Sequence, residues 1–313
     1  MTRPVILDCD PGHDDALALL LAVGDPRVRL LGVTTVAGNQ TLDKTTRNAL
    51  RILALAGADV PVAAGCDRPL VGELSVAADI HGASGLDGPD LDGPVPDLAG
   101  VHAVELMRRL LVDSVEPVTI VATGPLTNVA LLVRTYPEVL PRVRRIVLMG
   151  GSTERGNTTP YGEFNIVTDP EAADIVLRSG RPVTMIGLNV THQALATAEV
   201  IAAFENLGTR AGAVCAELMT FFAGTYRLVF GFEHPPVHDP IAVAAVLDPS
   251  IVTTVPAPVA IELTGTHTRG ATVVDLHGRT GRPPDTDVAV AIDVPAFWHL
   301  LLTAVAALPT GRP

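Results

Sequence analysis

The apolar run Val5-Ile6-Leu7 leads directly into Asp8-Cys9-Asp10-Pro11-Gly12-His13-Asp14-Asp15, and that segment into Ala16-Leu17-Ala18-Leu19-Leu20-Leu21. A short buried strand, a turn and an apolar helix are what such a pattern permits. The junction carries four carboxylates within eight residues. Like charges that close repel, and the usual remedies are a hard cation or a raised pKa. A simpler reading makes Asp14 and Asp15 first-turn acids favoured by the helix dipole, each worth about 0.3–1 kcal/mol, with Asp8 capping a turn. That reading leaves Asp10 and the Pro11-Gly12 turn without a purpose. Acids gathered at a strand's carboxyl end mark where open α/β sheets bind ligands.

The same grammar recurs along the chain. Strands are expected at Leu30–Val36, Pro61–Ala64, Val118–Ala122, Arg145–Met149 and Pro182–Leu188. Helices are expected at Leu42–Ala56, closed by Gly57, and at Val101–Val112, Leu126–Val133 and from Asp169-Pro170-Glu171 onward. Beyond these lie helical stretches in Ala198–Phe230, a helix Ile241–Leu247, a strand-like region Val255–Ile292 and a last helix at Ala296–Ala307. The segment Asp79–Gly88 lacks any regular period and reads as a mobile loop. Polar residues recur where expected strands end: Asp10, Asn39, Thr123, the loop after Met149, and Asn189. The fold class expected is therefore α/β, an open, mostly parallel sheet flanked by helices with a Rossmann-like core. Its active site belongs at the carboxyl ends of the strands.

Composition agrees with that class. Of the 313 residues, 48% are hydrophobic and only 4% aromatic, the palette of parallel strands covered by helices. No repeat or Gly/Ser-rich linker divides the chain, so one domain over residues 1–313 is expected. A net charge of −12 without a Lys/Arg-rich stretch argues against binding to a nucleic-acid backbone. No uninterrupted apolar run approaches the ~20 residues of a membrane span, and no long apolar leader precedes the first strand; a cytoplasmic protein is expected. Cys9, Cys66 and Cys215 are odd in number and widely spaced, the pattern of reduced core thiols rather than of disulfides or a zinc site. Strand alternation points Cys9 away from the face carrying Asp8 and Asp10.

Asp10 and Asp15, with Asp239 and a backbone carbonyl from Thr123, would make an all-oxygen site of the kind Ca²⁺ or Mg²⁺ prefers. The histidines are not spaced as zinc pairs. A cation there could lower the pKa of a bound water, with Asp10 accepting its proton, and the reaction would be hydrolysis. No G-x-S-x-G elbow, P-loop or dinucleotide fingerprint follows a strand. Asn157, Glu163 and Asn165 form a set of amide and carboxylate groups suited to hydroxyl-bearing ligands such as sugars.

Asp8-Cys9-Asp10-Pro11-Gly12-His13-Asp14-Asp15 resembles the N-terminal signature of the inosine-uridine-preferring nucleoside hydrolases. Further similarities are Thr34–Gln40, His81-Gly82, Thr123–Asn128, Val147–Gly151, Glu163-Phe164-Asn165, Thr191–Ala194 and His238-Asp239-Pro240. The resemblance implies Ca²⁺-dependent cleavage of the N-glycosidic bond of purine and pyrimidine ribonucleosides such as inosine and uridine, in nucleoside salvage, by a homodimer or homotetramer. It implies that Asp10, Asp15, Asp239 and the Thr123 carbonyl hold calcium, that Asp10 is the general base, and that Asp14 binds the ribose 2′-hydroxyl. Asn39, Asn157, Glu163 and Asn165 would hold the other hydroxyls, with Phe164 in the same segment and Met149 near the sugar. His238 would protonate the leaving base, His81 would approach the base from its loop, and Tyr226 lies where some members supply an aromatic contact. Carboxylates around the sugar suit an oxocarbenium-like transition state. The alternatives are a pyrimidine-preferring or other N-riboside hydrolase, a non-catalytic nucleoside-binding protein, and a phosphatase using the D-x-D pair, which lacks a Lys or Arg partner nearby.

Overall fold

The computed structural model describes residues 2–91 and 93–309. Its strands are β1 (Arg3–Cys9), β2 (Val28–Thr35), β3 (Val62–Ala64), β4 (Val118–Ala122), β5 (Val143–Met149), β6 (Val183–Ile186), β7 (Val252–Ala257), β8 (Val259–Ile261), β9 (Thr272–Val274) and β10 (Thr286–Ile292). Eight of them form one sheet in the order β3-β2-β1-β4-β5-β6-β10-β7, and β8 pairs with β9 separately. All pairings in the large sheet are parallel except β10 with β7. The strand order reverses between β1 and β4. In open α/β sheets that reversal opens a crevice outside the carboxyl ends of the two strands.

The helices are α1 (His13–Gly24), α2 (Leu42–Leu55), α3 (Ala78–His81), α4 (Ala103–Asp113), α5 (Thr127–Thr135), α6 (Phe164–Thr168), α7 (Pro170–Leu177), α8 (Leu188–Thr191), α9 (Ala198–Glu205), α10 (Arg210–Phe230), α11 (Pro240–Leu247) and α12 (Val294–Ala306). One core packs α1, α2 and α9 to α12 on one face of the sheet; the other packs α4, α5 and α7 beneath it. His13 through Ala22 of α1 are all buried, as expected of a helix that is apolar on every side. Alternation along β1 divides its side chains: Val5, Leu7 and Cys9 enter the first core and Ile6 the second. Asp8 turns the same way as Ile6 and bonds Thr34 Oγ1 and Asn128 Nδ2 at 2.6 and 2.9 Å.

The differences from the expected elements have local causes. β2 and β5 each begin two residues early, because main-chain pairing of Val28 with Arg3 and of Val143 with Val118 recruits residues that a hydrophobic pattern leaves out. β6 stops at Ile186, and Gly187 caps the short α8. The Asp79–Gly88 segment is not wholly irregular: it starts in α3 and continues in turns built on positive-φ Gly82, Gly85 and Gly88. Helix α10 is long and apolar enough to cross a membrane by length and composition. It nonetheless carries Glu217 and Arg227 and buries Val214, Leu218, Met219 and Phe222 in the core.

Candidate active site

Asp10 leaves β1 directly over the switch point. Its Oδ2 accepts the Asn39 backbone N–H at 2.7 Å, while Oδ1 is one of only two buried side-chain oxygens without a partner among the described residues. Two glycines make room for it: a Cβ on Gly38 would lie 2.2 Å from Oδ2, and one on Gly124 would lie 2.5 Å from Oδ1. The carboxylate therefore sits in a cradle that any other residue at those positions would fill. Burial, and then the charge of Asp15, holds its pKa well above the ordinary carboxylate value.

Asp14 and Asp15 open α1. Asp15 Oδ2 accepts the Gly12 N–H at 3.1 Å and an Asn39 Nδ2 proton at 3.1 Å, and Oδ1 accepts the Thr123 hydroxyl at 2.7 Å. Asp14 Oδ2 accepts the backbone N–H of His238 at 3.1 Å, which ties the first motif to the loop ahead of α11 across 224 residues. Asp239 follows His238, and oxygens of Asp14, Asp15 and Asp239 lie within 4.8 Å of one another. Burial pushes Asp15 to about 7 and Asp239 well above the usual range. Three crowded, desolvated carboxylates beside the orphan Asp10 oxygen are an all-oxygen donor set that fits a hard metal ion. The expected ligand set has Asp10 in place of Asp14; the mutually close group in the structure is Asp14, Asp15 and Asp239, with Asp10 outside it but near enough for its charge to raise Asp239.

Around this floor lies a cavity of about 360 Å³. Of the residues expected in the site, Asp14, Asn39, His81, Thr123, Met149, Asn157, Glu163, Phe164, Asn165, Tyr226, His238 and Asp239 line it, and Asp10 and Asp15 lie fully buried beside it. One wall is polar. Glu163 caps α6 and accepts the N–H groups of Gly151, Asn165 and Ile166 at 2.9, 2.9 and 3.1 Å, yet burial raises it to about 7. Asn165 Nδ2 donates to the carbonyls of Thr123 (2.7 Å) and Met149 (3.2 Å). Asn157 Oδ1 accepts the Phe164 N–H at 2.9 Å, so its amide protons stay available.

The opposite wall is aromatic. Tyr226 Oη lies 2.9 Å from His238 Nε2, and His238 Nδ1 lies 2.7 Å from Thr191 Oγ1. Burial lowers His238 to about 4, so the imidazole is neutral near pH 7. The Thr191–His238–Tyr226 chain is the proton path the geometry offers. Phe222, Tyr226, Val229 and Phe230 project from α10 at i, i+4, i+7 and i+8 into the cavity. The resemblance points to the segment 222–236 for base preference and includes Thr191 among its similar stretches, but it gives Phe222, Val229, Phe230 and Thr191 no individual role, because helical spacing of apolar residues is equally the mark of a core stripe.

A carboxylate floor and an amide wall for a polyhydroxylated group, facing rings that suit a planar one, describe an enzyme that cleaves a sugar from an attached base. Residues 5–299 match the family described as inosine-uridine preferring nucleoside hydrolase, and the chain belongs to that family of N-glycosyl hydrolases acting on ribonucleosides. It is 49% identical over 308 residues to the pyrimidine-specific ribonucleoside hydrolase RihA of Photobacterium profundum, covering 98% of this chain and 99% of that protein. It is 48% identical, over 98% of each chain, to a protein of the same description from Enterobacter sp.. A solved structure, the purine-preferring ribonucleoside hydrolase from Gardnerella vaginalis, superposes with a TM-score of 0.88 at 36% identity, over 97% of this chain and 98% of that one.

Proposed function

We propose that this chain is a calcium-dependent, pyrimidine-preferring ribonucleoside hydrolase, a single catalytic domain that releases ribose and free base from uridine and cytidine faster than from inosine. The observation that carries the chemistry is the buried, partnerless Asp10 Oδ1 beside Asp14, Asp15 and Asp239. The base preference is supported by the 49% and 48% identity to relatives described as pyrimidine-specific, against 36% to the purine-preferring structure. Cytoplasmic nucleoside salvage and assembly as a homodimer or homotetramer complete the reading.

Asp10, Asp15, Asp239 and the Thr123 carbonyl would hold the calcium, whose contribution is to acidify a water and to grip ribose hydroxyls. The chain's own groups account for the remaining work. Asp14, Asn39, Asn157, Glu163 and Asn165 fix the sugar through its hydroxyls, and the Asp14 and Glu163 carboxylates, when ionised, favour the cationic character that develops on the ribose. As the bond from C1′ to the base nitrogen breaks, its electron pair leaves with the base, the oxygen of water bonds to C1′, and Asp10 Oδ1 takes the water's proton. The base gains its proton on the aromatic side, along the Thr191–His238–Tyr226 chain. Purified protein incubated with uridine, cytidine and inosine, with and without EGTA, and assayed for reducing sugar tests this reading. Calcium-dependent release ranked uridine and cytidine over inosine is expected; faster release from inosine reverses the base assignment, and no release from any of them removes the catalytic one.

A further inference from the structure

His13 belongs to the first motif, is used by neither the metal floor nor the sugar wall, and is fully buried. Its ring spans two elements that come together from distant parts of the chain. Nε2 lies 2.9 Å from the Asp87 carbonyl. A carbonyl only accepts, so His13 donates from Nε2. The backbone N–H of His13 donates to His81 Nδ1 at 3.2 Å, and His13 Nδ1 lies 3.2 Å from the same nitrogen. His81 Nδ1 is thus held by His13, which leaves Nε2 as the His81 ring nitrogen not engaged by the first motif, on a residue that lines the cavity.

The fit around this pair is close. A Cβ on Gly12 would fall 2.5 Å from His81 Nδ1, so only glycine lets the His81 ring lie against the first motif. His13 stacks parallel to Phe221 and Phe222, with centroids 5.1 and 5.2 Å away, and Phe222 in turn meets His81 at 5.3 Å. The loop after His81 is pinned from α2 and the residue pair ahead of it: Gln40 Nε2 donates to the Gly82 carbonyl at 2.9 Å, Lys44 Nζ to Ala83 at 2.8 Å and Asn48 Nδ2 to Ser84 at 2.9 Å. Asp87, whose carbonyl meets His13, closes the loop by accepting the N–H groups of Ala83 and Ser84 at 2.8 and 2.9 Å.

We propose that His13 is a positioning residue: its ring clamps the Asp79–Asp87 loop to the first motif and fixes the His81 ring where it meets the leaving base. It acts through His81 and does not itself reach substrate. The inference rests on the proposed hydrolase function for its kinetic consequence, while the clamp is a property of the protein alone.

The test compares His13→Ala, His13→Phe, which keeps ring stacking without the donor, and His13→Gln, which returns a donor near the Nε2 position. Hydrogen exchange of the 79–87 amides is expected to quicken by about 10-fold or more in the Ala and Phe variants and to recover toward wild type in Gln. The kcat/KM for uridine is expected to fall by about 30-fold in the Ala and Phe variants, against less than about 3-fold for p-nitrophenyl riboside, whose leaving group needs no donor. Unchanged exchange, a Phe variant equal to wild type, or equal loss on both substrates each overturns the proposal. Absence of uridine turnover in the wild type would instead strike the functional reading, and the exchange result would still decide the clamp.

Discussion

The two sides of the cavity are built in opposite ways. The floor comes from one continuous segment, Asp8–Asp15, completed by Asn39, Thr123 and Asp239, and its carboxylates are held by backbone and side-chain donors at 2.7–3.1 Å. The aromatic wall is assembled from Thr191, His238, α3 and the cavity-facing stripe of α10, held by ring stacking and by hydrogen bonds between neutral groups. Its outer edge is open: Val229 and Phe230 are 44% and 38% exposed. A floor that must confine like charges tolerates little displacement. A wall that must accept a flat base can vary residue by residue, so on the proposed function the water and the sugar are handled at the floor and the leaving base at the wall.

If that division is right, removing floor groups should cost far more than removing wall groups. Asp10→Ala deletes the orphan oxygen and a metal ligand together, and kcat should fall by roughly 10⁴-fold or more on every nucleoside, with retained folding checked by circular dichroism. Stripping the metal with EGTA should bring the wild type near the same floor of activity, with recovery on adding Ca²⁺ back. A folded Asp10→Ala protein with near-wild-type turnover would break the comparison at its strongest point.

Wall substitutions should be smaller and substrate-dependent. His238→Ala should lower kcat for uridine by roughly 10²-fold, and Tyr226→Phe, which removes only the hydroxyl 2.9 Å from His238, by roughly 10-fold. Both losses should shrink with p-nitrophenyl riboside; equal losses on the two substrates would move these groups out of leaving-group protonation. Phe230→Ala, at the open edge, should change kcat by no more than about 3-fold while shifting the uridine-to-inosine ratio of kcat/KM, measured by competing the two substrates.

The same contrast explains what could be read from the amino acids. The floor was legible because its residues stand together, four acids at a strand end where neither a helix dipole nor a cap needs that many, and because Asn39, Thr123 and the loop after Met149 follow strands whose ends the parallel sheet brings to one edge; Asn189, expected there on the same ground, lies outside the cavity and donates to the Ala289 carbonyl. The parallel sheet follows from the βα alternation, but its strand order does not. The wall was legible only in part: the resemblance named His81, Tyr226 and His238, while the remaining signals are common ones. Phe222, Val229 and Phe230 are spaced like a buried stripe, and the neutral state of His238 comes from burial that no local pattern reports. His13, read only as part of the acidic motif, owes its contacts to Asp87 and Phe222, 74 and more than 200 positions away.

The smallest expected effect separates wall from floor by pH. His192 packs against Phe232 and His238 with ring centroids 5.7 Å away in each case, and burial, with His238 and Arg155 nearby, lowers it to about 3. Unfolded, a histidine titrates near its ordinary 6.5, so as pH falls below that value the unfolded chain takes up a proton that the folded one refuses until about 3. Stability that His192 permits at neutral pH is therefore lost progressively on acidification. His192→Gln removes this drain, and the difference in Tm between variant and wild type should grow in the variant's favour by roughly 2 °C between pH 7 and pH 5. A gap independent of pH would mean that His192 takes up its proton in the folded protein too, and that the packing behind His238 is wetter than the ring contacts indicate.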